Sequence, residues 1–230
     1  MNRADAEASI KSLFDKYRIS HSVIPTGKSS HVQGKVYELY VLTKVVEYLQ
    51  TLGYKIDFSN PNRIMKFKTK GGYLRSSDPH FEVSIPGNKP VFDIYVDVEF
   101  QTLGSSKISH SGSFSADLSH HHEIDVGVYV YGLDNVRPRH DQVALAVECK
   151  AVVSLEKAVI RGMLGLRREL SLLDPEQASI LTQSARYIHN GTDVPANPPS
   201  EVWLVSTDQA VKQYRNSPKV FGIECRHEDI

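Results

Sequence analysis

The sequence predicts an α/β sandwich, one large domain in which helices cover a central sheet. Three observations carry this. Residues 35–52 and 155–173 repeat apolar residues at helical spacing. Between them lie four strand candidates that pair off across turn signals, and beyond the second helix the chain alternates strand, helix, strand. The resulting order is helix, three or more antiparallel strands, helix, strand, helix, strand, with no internal repeat.

Taken in order, residues 5–18 place Ile10, Leu13, Phe14 and Tyr17 at spacings of three and four, a short amphipathic helix that packs on the body or on a second subunit. A Ser/Gly-rich connector follows. Its Gly27-Lys28-Ser29 is no phosphate loop, because the required upstream glycine position holds Ser22 and no strand precedes it. Residues 35–52 carry Val36, Leu39, Tyr40, Leu42, Val46 and Leu49 on a stripe and stop at Gly53, a good terminator. Glu38 lies near the start of this helix, where the helix dipole favours a carboxylate.

The segments FEVSI and VFDIYVDVEF flank the turn PGNK and read as a hairpin. Strand alternation puts Ile94, Val96, Val98 and Phe100 on one face, and Asp93, Tyr95, Asp97 and Glu99 on a solvated face. A polar loop leads into a second hairpin, EIDVGVYVYG and VALAVECKAVV, whose later strand is nearly all apolar and therefore central and buried. The helix after it shows Leu155, Val159, Met163, Leu166 and Leu170 on one stripe. Residues 174–200 suggest a short helix over 175–187 and then a loop. EVWLVST is a strand with Trp203 in the core, DQAVKQYRN a helix and VFGIECRH a last strand.

Composition narrows the function classes. With 40% hydrophobic and 23% charged residues the chain is an ordinary folded protein, and no apolar run approaches the roughly 18 residues of a membrane span. The start, MNRADAEASIKSLF, lacks a signal-peptide apolar core, so the expected location is cytoplasmic. Two cysteines without a C-x-x-C pair indicate neither a disulfide framework nor a thiolate zinc site. Lys and Arg total 27 against 27 Asp and Glu, so nucleic acid would have to be met by local patches. One such patch is Arg63, Lys66, Lys68, Lys70 and Arg75, without an intervening acid, which reads equally as a solvated strand edge.

The chemistry concentrates on the second hairpin. Alternation puts Glu148 and Lys150 on one face of an otherwise apolar strand and Cys149 on the other, buried under a flanking helix. Buried charges cost several kcal/mol unless paired or ligated. Asp125, with Glu123 two residues earlier, occupies the neighbouring strand, and an antiparallel neighbour brings two carboxylates to about 5 Å. Two hard oxygen ligands suit Mg²⁺, which fills its other positions with water and substrate phosphate. A lysine beside them can orient the attacking water and stabilise charge developing on phosphorus. His120, His121 and His122 cannot all ligate one ion, since successive strand residues point to alternate faces; His122 and Glu123 are at most outer support.

Asp125, 22 intervening residues, then Glu148-Cys149-Lys150 resembles the D…(D/E)-x-K signature of the PD-(D/E)XK, or restriction-endonuclease-like, nuclease superfamily. The likeness spans residues 34–172 and the strand at 201–207. Residue 124 is Ile, so the proline of the family name is missing. The resemblance implies an α/β/α sandwich with a central mixed sheet over 34–230, a hairpin elaboration near 60–120, and residues 1–33 as an N-terminal helix and linker. It implies a catalytic set of Asp125, Glu148, Lys150 and the helix-borne Glu38, with Mg²⁺ or Mn²⁺ on Asp125, Glu148 and the backbone carbonyl of Cys149. The implied activity is endonucleolytic hydrolysis of phosphodiesters, of duplex DNA in restriction or another antiviral defence, by a homodimer or higher oligomer. RNA is an alternative substrate, and a catalytically idle subunit that binds nucleic acid or a partner protein is the alternative function. No reader motif is present, so recognition falls to loops, a regulatory partner or a signal molecule.

Overall fold

The computed structural model describes residues 3–20, 29–65, 71–106, 118–214 and 216–229. Helix α1 (Arg3–Lys16) buries Ala6, Ile10, Leu13 and Phe14, and it packs on helix α2 (Ser30–Thr51) of its own chain. Its apolar face is therefore used within the molecule. Helix α2 is started by Ser29, whose hydroxyl accepts the Val32 N–H at 3.3 Å, and it is released by Gly53 at φ +86°.

Seven strands form the main sheet in the order β1 (Lys55–Ser59), β2 (His80–Ser84), β3 (Pro90–Gln101), β4 (His121–Val130), β5 (Val143–Lys150), β8 (Glu201–Ser206) and β9 (Ile223–His227). Neighbours from β1 to β5 are antiparallel, and β5, β8 and β9 run parallel. The sheet is mixed. A short α3 (Leu103–Ser106) follows β3, and α4 (Lys157–Leu170) crosses from β5 towards β8. The stretch expected to hold a helix over 175–187 is instead a two-stranded ribbon of β6 (Leu172–Ala178) and β7 (Asp193–Asn197), with only a short α5 (Ile180–Ser184) between them. Ahead of β9 the expected helix is a 3₁₀ turn, Gln209–Tyr214, followed by α6 (Asn216–Val220).

Two apolar clusters hold the layers together. One joins α1 and α2 to Ile94, Val96, Val126, Val128, Val147, Cys149 and Trp203. The other joins Ile160, Met163 and Leu170 of α4 to Tyr95, Val98, Phe100, Ile124, Ala146 and Leu204. Helices thus cover both sides of the sheet, as expected of a sandwich.

Membership of these clusters overturns the simple alternation expected along β3. Ile94 and Val96 belong to the α2 side, Val98 and Phe100 to the α4 side. The switch falls at Asp97, whose φ of +53° puts a non-glycine residue in the left-handed region. Nor is the polar face of β3 solvated: Asp93, Tyr95 and Asp97 are all buried. On α4 the buried stripe is Ile160, Met163, Arg167 and Leu170, so Val159 and Leu166 are turned partly outward. Among the described residues no helix is long and apolar enough to cross a membrane.

Candidate active site

Strand pairing assembles the acids. The β4–β5 ladder runs Val128 to Leu145, Gly127 to Ala146 and Val126 to Val147. Its next rung sets Asp125 opposite Glu148. In the β3–β4 ladder Val96 faces Val126 and Val98 faces Ile124, so Asp97 lies opposite Asp125. Asp97, Asp125 and Glu148 therefore come at one level of three neighbouring strands, at the point where the regular pairing of both ladders ends or breaks.

Backbone and helix fix these groups in place. Asp125 Oδ2 accepts the Cys149 main-chain N–H at 2.7 Å. Lys35 and Glu38 lie one turn apart on α2 and so share a face. The Lys35 ammonium donates to Glu38 Oε2 at 2.7 Å and to Asp97 Oδ1 at 2.6 Å. The other oxygen of Asp97 is buried and has no hydrogen-bond partner among the described residues. Lys150 donates to Glu148 Oε1.

Glu148 and Lys150 open into a cleft of about 440 Å³ whose other walls are His122 and Glu123 of β4 and one face of α4, including Val159, Gly162, Gly165 and Glu169. Cys149 points the other way, into the α2 cluster, where burial pushes its thiol well above the ordinary range. It is inert there, as expected.

Crowding dominates the electrostatics. Burial, then the charge of Glu148, holds Asp125 well above the usual carboxylate range against the pull of the Cys149 N–H. Burial likewise pushes Glu38 up to about 7, opposed by the Lys35 hydrogen bond. Burial works against the charge on Lys150, but the charge and hydrogen bond of Glu148 outweigh it and the ammonium is held above its ordinary value. These carboxylates have been gathered against their mutual repulsion, and a bound cation would relieve it.

The sequence-predicted residues are thus partly united. Asp125, Glu148, Lys150 and Glu38 form one electrostatic cluster, and His122 and Glu123 line the cleft into which Glu148 and Lys150 open. Glu123 Oε2 also accepts the Gly71 N–H at 2.8 Å, tying β4 to the segment that enters β2. The basic stretch does not gather there as far as it is described. Arg63 donates to the Tyr17 and Phe58 carbonyls at 3.1 and 3.4 Å, beside the outermost strand β1, and acts as a main-chain tie. Arg75 is exposed in a turn closed by the Asp78 N–H. Lys66, Lys68 and Lys70 lie outside the described residues. Of the three arginines on α4, Arg167 is no surface cation: it is 5% exposed and holds the Ser200 carbonyl and the Ser171 hydroxyl.

Asp97 and Lys35 were missed by sequence reasoning. Alternation assigns Asp97 to a solvated face, and nothing in the local pattern announces its positive φ. Lys35 was readable only as the first residue of a helix. What could have been noticed is that Lys35 and Glu38, an i, i+3 pair, precede an otherwise apolar stripe.

Oxygen chemistry at the site fits a hard divalent cation. No hydrogen bond reaches Asp125 Oδ1 or Glu148 Oε2 among the described residues, and the orphaned Asp97 oxygen lies at the same level. Among the described residues no three His, Cys, Asp or Glu side chains converge as a ready cage, and Mg²⁺ needs only one or two carboxylates, completing its shell with water and phosphate oxygens. Comparison of the chain with protein-family models, curated proteins and solved structures finds no match.

Proposed function

We propose that this chain is a Mg²⁺-dependent (or Mn²⁺-dependent) nuclease of the PD-(D/E)XK kind, an endonuclease whose substrate is nucleic acid and, by preference, duplex DNA. The observation that carries the reading is Asp125 bonded to the Cys149 N–H beside Glu148, with Lys150 on Glu148 and these last two opening into a cleft beside α4. The succession of α2, the antiparallel β3–β4–β5, α4 and the parallel β8 agrees with the core order that the sequence resembles.

A bound Mg²⁺ would supply Lewis acidity at phosphorus and a water acidified by coordination. Asp125 and Glu148 would hold it, each with one oxygen not engaged by the protein. The N–H and C=O of one strand residue project to the same edge, so the Cys149 carbonyl faces β4 beyond the last observed pair, Val126–Val147, where it is available as a further ligand. Lys150 would orient the attacking water and offset charge developing on the phosphate oxygens. Glu38 would sustain the negative field from α2. Duplex cleavage by a single site per chain goes naturally with a homodimer. The free thiols Cys149 and Cys225 accord with a reducing cytoplasm, the compartment of this reading.

The test is incubation of purified protein with supercoiled plasmid and with RNA, in Mg²⁺, Mn²⁺ or EDTA. Nicked or linear plasmid is expected with either metal, none with EDTA, and none from Glu148→Ala or Lys150→Ala. Tight nucleic-acid binding without cleavage in any metal would overturn the enzyme and favour an idle subunit.

A further inference from the structure

The Lys35 ammonium sits between the carboxylates of Glu38 and Asp97. The Lys35 side chain is 14% exposed, that of Asp97 1%, and the ammonium lies within 2.7 Å of an oxygen from each of two carboxylates on different elements. Sequestering three charges from water is compensated only when they are paired with good geometry. The pairing here is enforced by the fold: Lys35 and Glu38 come one turn apart on α2, and the left-handed backbone at Asp97 marks where β3 exchanges its faces and brings that carboxylate to α2.

We propose that Lys35 is a built-in cation that fills the Glu38–Asp97 half of the acid cluster, so that the site takes a single divalent ion, on Asp125 and Glu148. Lys35 is on this view a positioning residue. It holds Glu38 and Asp97 off the metal, and it leaves one buried Asp97 oxygen without a partner among the described residues. Removing the ammonium would free both carboxylates to bind a second ion. The inference rests on the metal-dependent reading above, and its test separates the two.

Mn²⁺ is titrated calorimetrically into chelator-treated protein without substrate, at pH 8. One ion per chain is expected for the wild type and two for Lys35→Met, with Lys35→Met/Glu38→Gln returning to one. Two ions on the wild type would overturn the proposal with no variant required. A folded Lys35→Met, verified by circular dichroism, that still binds one ion would overturn it too. Absence of any Mn²⁺ binding by the wild type would instead remove the metal reading itself, and this inference with it.

Discussion

Asp125 Oδ2 accepts the main-chain N–H of Cys149 at 2.7 Å, so the acid of one strand is anchored on the backbone of the strand that carries Glu148 and Lys150. Anchor and charge can be separated. Asp125→Asn retains an oxygen for that N–H and removes a charge from beside Glu148. Asp125→Ala leaves the N–H unpaired, which costs about 1–3 kcal/mol. The alanine variant should melt several degrees below wild type and the asparagine variant at or above it, while both lose cleavage by about 10³-fold or more. Equal melting of the two would show that the hydrogen bond contributes nothing to the fold.

Arg167 ties the end of α4 to the residue before β8 through Ser200 and Ser171. Burial alone pushes its guanidinium down to about 10, because its bonded partners are neutral oxygens. Arg167→Met keeps the apolar stem but leaves the Ser200 carbonyl unpaired, a net loss of about 1–3 kcal/mol once the relief of a buried charge is counted. Lysine cannot reproduce the two-pronged contact and should be little better. Activity per folded molecule should stay within about twofold, because Arg167 is not among the residues that line the cleft. Chemical denaturation with parallel cleavage assays checks both halves.

Stability should also carry a pH signature from Glu201, which does not line the cleft. This carboxylate is 1% exposed and accepts from Tyr48 and Ser179. Burial pushes it up to about 7, against those two hydrogen bonds. A carboxyl raised above its unfolded value binds its proton more tightly when folded, so its stabilising share is complete below about pH 4.5 and fades as pH rises through 7. The span is on the order of 3 kcal/mol. Glu201→Gln keeps an acceptor for both hydroxyls and should flatten the difference. Denaturation midpoints from pH 5 to 8 that fall equally in both proteins would assign the dependence elsewhere.

How far the sequence foretold this molecule depends on the range over which the physics acts. The α2 stripe, the two hairpins, the largely apolar strand β8 and the short β9 after its turn follow from local pattern, and Asp125 and Glu148-x-Lys150 were readable because a charge in an apolar strand is conspicuous. The ribbon β6–β7 was not readable. Leu172–Ala178 contains Asp, Pro and Glu and is largely exposed, and its partner holds a proline; neither favours a strand until the other is beside it. Asp97 escaped for a different reason. Parity along a strand assumes uninterrupted alternation, and one residue at positive φ exchanges the faces beyond it. The burial of Arg167 was not legible, because a buried arginine within a helical stripe has the same spacing as a solvated one.

The wall of α4 facing Glu148 and Lys150 contains Gly162 and Gly165, and a Cβ built at either meets nothing within 4 Å. Glycine within a helix costs roughly 0.5–1 kcal/mol relative to alanine. No packing contact explains the two glycines. Gly162→Ala and Gly165→Ala should therefore each raise stability by about 0.5–1 kcal/mol and leave cleavage nearly unchanged, since one methyl barely narrows the opening. Gly165→Phe should fold equally well yet fill the cleft. Its KM for plasmid should rise about tenfold or more, whereas hydrolysis of bis(4-nitrophenyl) phosphate, small enough to reach Glu148 past the new ring, should be kept. The contrast between the two substrates is the measurement. Loss of both activities would mean that the phenyl ring disturbs the acids themselves, and unchanged cleavage of plasmid would mean that nucleic acid does not pass along this face of α4.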